Sequence, residues 1–150
     1  MIREIRTYPD PILREVCKPA LSGETNIAQI AMDLLDTLYS SGGVGLAAPQ
    51  IGESLRIFVV DIDWVEGKAK PRLFVNPTII EKSDPRPMDE GCLSFPNKKK
   101  EIIRANKITV RNMLLGGQTI IKAEGYLAQA IQHEYDHLAG KLLIDDPMRA

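Results

Sequence analysis

The chain has 150 residues, 44% of them hydrophobic and 26% charged, and a formal net charge of -1. That length suits one domain, over residues 1–150, with a single core, and so even a balance argues against a dedicated nucleic-acid or membrane-surface binder. No stretch approaches the ~20 apolar residues of a membrane helix, MIREIRTYPDPILRE lacks the apolar run of a signal peptide, and a cytoplasmic chain with free thiols at Cys17 and Cys92 is expected.

Near the start, Asp10 is placed to cap a short helix that has Pro11 at its first position and ends before Pro19. From about 26 to 39, Ile27, Ile30, Ala31, Leu34, Leu35 and Leu38 recur at the spacing of an amphipathic helix, and Gly42 and Gly43 stop it. The GGVG that follows is no phosphate loop, because Leu46, Ala47 and Ala48 stand where Lys and Ser/Thr would be needed. RIFVVDI (56–62), RLFVNP (72–77) and TIIEK (78–82) are short strand-like runs broken by Pro and Gly.

Lys98, Lys99 and Lys100 form the one lysine cluster and suit a solvated strand end or loop. IIRANKITVRN and QTIIKAE flank Gly116 and Gly117, which predict a hairpin turn. A final helix is predicted over about 125–138, with Gly140 as its C-terminal cap. The expected class is α+β: mixed or antiparallel sheets around a C-terminal metal-binding helix, with an amphipathic helix near the N-terminus.

That last helix contains AIQHEYDH, and with it both histidines of the chain. Residues four apart stand one turn above each other, so His133 and His137 can reach one ion while Glu134 acts beside it. Leu127, Ala130, Ile131, Glu134, His137 and Leu138 share one stripe, which puts polar groups on the face that should be buried. A metal would compensate them.

Two histidines do not complete a catalytic site, which usually takes three protein ligands and leaves a position for water. The extended pattern HExxHxxGxxH is followed as far as Gly140, but its last position is Leu143. Downstream only Asp145 and Asp146 are acidic, so the missing donor is sought upstream, at Cys92 in DEGCLSFP. A small metalloprotease and a closed structural zinc module using Cys17 as well as Cys92 remain open at this point.

GVGLAAPQIG (43–52), EGCLSFP (90–96) and QHEYDHLAGKL (132–142) together resemble the three motifs of peptide deformylases, and YPDPILR extends the match toward the N-terminus. The resemblance implies an enzyme that removes the formyl group from the N-terminal methionine of newly made polypeptides, through water activated by one divalent metal. It implies ligation by Cys92, His133 and His137, Glu134 as acid and base, and Gln50 with the Leu93 N–H holding the formyl oxygen. It also implies Fe2+ in cells, with Zn2+, Ni2+ or Co2+ able to substitute.

On this reading Gly43, Val44 and Gly45 accept the substrate backbone as an added strand, and Gly91 keeps the chain beside Cys92 tight against the site. Val44, Met88, Tyr126 and Ala130 are candidates for the methionine pocket. Lys99 stands where many members of the family carry arginine, which exchanges a bidentate fork for a point charge. Formylated nascent chains are the expected partners, without nucleic acid or membrane. So little sequence beyond the metal helix leaves ribosome docking without the helix some members use, and raises a phage or organelle source beside a bacterial cytoplasm.

Overall fold

The computed structural model describes residues 1–23, 25–114 and 117–145. The first expected helix is a single 3-10 turn, Pro11–Arg14, capped by Asp10, whose Oδ1 accepts from the Ile12 N–H at 3.1 Å. The first long helix, α1 (Ile27–Ser41), starts at Asn26, whose side chain accepts from the Gln29 N–H at 3.0 Å. It runs two residues past the predicted end, to Gly42 at φ 83°, a left-handed turn-off that suits glycine. Ile30, Leu34 and Leu38 face Leu46, Ile51, Ile57 and Val59. Leu34 and Leu38 are fully buried, each contributing ~1.5–3 kcal/mol.

Two antiparallel three-stranded sheets follow. The first is β1 (Gly45–Ala47), β2 (Ile57–Val60) and β3 (Arg72–Val75), in that order. The second is β4 (Thr78–Cys92), β5 (Phe95–Asn112) and β6 (Thr119–Glu124). Thr78–Cys92 is far longer than the run of 78–82 expected from the sequence. Pro85 and Pro87 discouraged a longer strand, yet β4 is an edge strand, where proline needs to give up no ladder donor. The expected turn at Gly116 lies outside the described residues; Gly117 donates its N–H to the Leu114 carbonyl at 2.8 Å.

The second helix, α2 (Tyr126–Leu138), lies between the sheets. Its Ala128, Ala130, Ile131 and Leu138 meet Phe58, Val60 and Phe74 from one sheet and Ala105, Ile108, Val110 and Ala123 from the other. Asn112 ties the sheets together, accepting from the Val75 N–H at 2.8 Å and donating to the Leu73 carbonyl at 2.9 Å. Beyond the helix, Gly140 has φ 70°, and an added Cβ would run into the Arg14 carbonyl. Only glycine passes there without moving the N-terminal turn.

Candidate metal centre

Burial and hairpin geometry bring the three expected ligands together. Cys92 ends β4 and pairs with Phe95 across Leu93 and Ser94, while its neighbour Gly91 pairs with Lys99. The mismatch bulges residues 96–98, with Asn97 at φ 65°, and the hairpin tip turns toward α2. Donor atoms of Cys92, His133 and His137 all lie within 4.8 Å of one another. Cys92 Sγ and His137 Nε2 are 3.5 Å apart. Two corners of a tetrahedron with bonds of ~2.3 and ~2.0–2.1 Å stand about 3.6 Å apart, so this pair fits a shared ion.

Around the donors a charged network sets the His133 imidazole. Arg104, on β5, grips Glu90 with Nε at 2.7 Å and Nη2 at 2.8 Å, and its Nη1 reaches Asp136 at 2.6 Å. Glu90 Oε1 also accepts from His133 Nδ1 at 2.8 Å, which leaves Nε2 of that ring as the nitrogen free to ligate. Burial alone would push the Glu90 carboxyl up, but Arg104 and then His133 overrule it and hold it at about 2. His133 is raised well above an ordinary imidazole: burial opposes the charge, but Glu134, Cys92 and Glu90 outweigh it. Burial, and then the neighbouring His133, lower His137 well below that range.

Glu134 projects from α2 beside these donors, its Oε2 4.0 Å from His133 Nε2. Burial pushes its carboxyl up to about 7, against the pull of His133. Such a group both takes and gives a proton near neutrality. Glu134 Oε1 and His137 Nδ1 are buried with no hydrogen-bond partner among the described residues, an arrangement that is costly unless another species completes it. The close approach of β1 belongs to the same device: a Cβ on Gly45 would stand 2.7 Å from Glu134 Oε2.

On the other side of the cysteine, Gln50 is held in the 3-10 turn Ala48–Ile51 with its amide nitrogen 3.7 Å from Cys92 Sγ. A cavity of about 1000 Å³ opens over these groups. Its lining contains Gly43, Val44, Gly45, Gln50, Gly91, Leu93, Lys99, His133 and Glu134, all named from the sequence, with Tyr126 and Ala130. Met88 is not in that lining; it lies half-buried on β4 opposite Ile102.

Cys17 stands apart from the donor group, its Sγ 4.0 Å from the His137 carbonyl oxygen. Asp145 is engaged by Arg14 at 2.5 Å and by the Leu142 N–H at 2.8 Å, and Asp146 lies outside the described residues. The sequence reading passed over Glu90 and Arg104. Its available signal was Glu90 itself, an acid two residues before the cysteine and therefore on the same strand face.

A cysteine sulfur and two imidazoles beside an ionisable carboxylate, at a cleft of peptide size, are a donor set that suits a hydrolase of the single-metal class. The particular family follows from comparison with known proteins: the model for polypeptide deformylase matches residues 2–149, and the chain belongs to that family. It is 46% identical over 145 residues to peptide deformylase 1 of Clostridium perfringens, covering 96% of this chain and 97% of that one. The crystal structure of a peptide deformylase from Legionella pneumophila superposes with a TM-score of 0.91 at 41% identity, covering 98% of this chain and 86% of that one. The Thermotoga maritima peptide deformylase structure gives 0.90 at 39% identity and 99% of both chains.

Proposed function

We infer that this chain removes the formyl group from N-formylmethionyl peptides, with Cys92, His133 and His137 holding one divalent ion. The observation that carries the reading is the convergence of those three donors beside Glu134, with Cys92, His133 and Glu134 lining the cavity. A bound ion supplies Lewis acidity, which makes water nucleophilic at neutral pH and polarises a carbonyl. Iron is the proposed cellular metal, as the resemblance implies. Intrinsic affinity of such donors favours zinc, so supply rather than the site would select iron.

The residues around the ion divide the remaining work. Glu134 takes the proton of the attacking water and passes it to the departing amine, which its elevated carboxyl suits. The Gln50 amide N–H, near Cys92, donates to the formyl oxygen as negative charge builds there, joined by the Leu93 N–H. One such donor is worth ~3 kcal/mol in the transition state. Gly43, Val44 and Gly45 offer backbone edges to the substrate, and Gly45 brings that edge against the Glu134 carboxylate. Lys99 on the cavity wall contributes a single charge to the peptide backbone rather than a fork. Gly91 keeps the wall beside Cys92 low.

The test compares formyl-Met-Ala, acetyl-Met-Ala and an unformylated peptide with an internal Met-Ala bond. Release of formate from the first alone is expected, because the acetyl methyl would meet the crowded space between Gly45 and Glu134. Comparable turnover of the acetyl peptide would overturn the steric account, and cleavage of the internal bond would favour a protease.

A further inference from the structure

The Gln50 side chain lies within a chain of directional hydrogen bonds that begins and ends on backbone. The Ala47 N–H donates to Gln50 Oε1 at 2.9 Å. Gln50 Nε2 donates to Ser94 Oγ at 3.1 Å. The Ser94 hydroxyl donates in turn to the Arg6 carbonyl at 2.7 Å. An N–H can only donate and a carbonyl can only accept, so the two ends dictate the polarity of everything between them. A flipped Gln50 amide would set its NH2 against the Ala47 N–H, and its oxygen against the lone pairs of Cys92. Gln50 and Ser94 are each only 1% exposed, which leaves no solvent to stand in for a lost partner.

We propose that Ser94 is a positioning residue for Gln50, and that the N-terminal segment at residues 6–8 is the strap that orients Ser94. The strap is tied at both of the loops it joins. The Arg6 N–H donates to the Gln50 carbonyl at 2.7 Å, the Tyr8 N–H donates to the Ser94 carbonyl at 3.0 Å, and the Tyr8 ring stacks on Phe95 at 5.1 Å. With one Nε2 proton committed to Ser94, the other is held on the Cys92 side, donating to Sγ at 3.7 Å, beside the cavity where a developing oxyanion would draw it. The serine thus acts without touching substrate. This inference rests on the reading of Gln50 as an oxyanion donor.

The test is a double-mutant cycle on the metal-loaded enzyme, using Ser94→Ala, Gln50→Ala and the pair, with metal content and thermal midpoint measured for each. Ser94→Ala is expected to lower kcat ~10- to 100-fold with KM within about twofold and one metal still bound, since misplacing an aligned group costs on that scale. In the Gln50→Ala background the same change is expected to cost less than about threefold. Nitrogen-15 relaxation of the Gln50 side-chain amide should report a rigid group in the parent and a mobile one in Ser94→Ala. Equal losses in both backgrounds, or an equally rigid amide in the alanine variant, overturn the positioning role. If Gln50→Ala alone leaves kcat unchanged, the oxyanion reading itself fails, which is a distinct outcome. Should Ser94→Ala not fold, Ser94→Thr keeps the hydroxyl and is expected to retain kcat within about threefold; a tenfold fall with KM and metal content intact overturns the proposal.

Discussion

Glu134 and Cys17 illustrate how differently single positions contribute here. Glu134→Gln keeps the shape and removes the proton acceptor, so kcat should fall ~10²–10⁴-fold while the protein still binds one ion. Steady-state kinetics beside metal analysis checks this, and loss of the metal would mean that Glu134 ligates. Burial pushes the Cys17 thiol up to about 11, so it is almost wholly protonated at neutral pH and poorly nucleophilic. Cys17→Ser should therefore keep its metal and its activity, and iodoacetamide should leave Cys17 of the folded protein unmodified. Metal loss from Cys17→Ser would instead favour a closed structural site.

At the scale of elements, the site depends on β1 and α2 approaching closely and on the β4–β5 hairpin carrying Glu90 and Cys92 to the helix. Gly45→Ala would place a Cβ 2.9 Å from Glu134 Cγ, so the carboxylate must move. A fall of ~10²-fold in kcat with retained metal is expected. The pair of Arg104 and Glu90 gives a dependence on pH. With its carboxyl brought from an ordinary 4.5 to about 2, ionised Glu90 contributes about 3 kcal/mol. That contribution is fully present above pH ~4.5 and is lost as pH falls toward ~2. Arg104→Leu leaves Glu90 buried and unpaired, and should cost ~3–5 kcal/mol at pH 7. Urea titrations at pH 7 and pH 3 should show the gap between parent and variant shrinking in acid; an unchanged gap would remove Glu90 from the account.

Seen as a whole molecule, what was legible in the sequence is what depends on local period and spacing. Both long helices were readable because Ile30, Leu34 and Leu38, and then His133 and His137, recur at helical intervals. The three grouped donor residues were readable because His133 and His137 share a helix face and Cys92 lies in a motif. What escaped depends on pairing at a distance. Pro85 and Pro87 read as breakers until β5 is seen to fill only one side of β4. Arg104 reaches Glu90 across that hairpin, and Ser94 meets Arg6 over a separation of 88 residues, so no local pattern reveals either contact. β1 is three residues long, too short for its alternation to register.

A metal that binds the folded chain and not the unfolded one should also stabilise it by mass action, so chelation should lower the thermal midpoint. One sulfur and two imidazole nitrogens sharing an ion are the centre of the proposed chemistry. X-ray absorption at the metal edge of zinc-loaded protein tests this most directly. One sulfur at ~2.3 Å and nitrogens at ~2.0–2.1 Å are expected, with the sulfur lost in Cys92→Ala. A first shell without sulfur, or one whose sulfur survives in that variant, would contradict it.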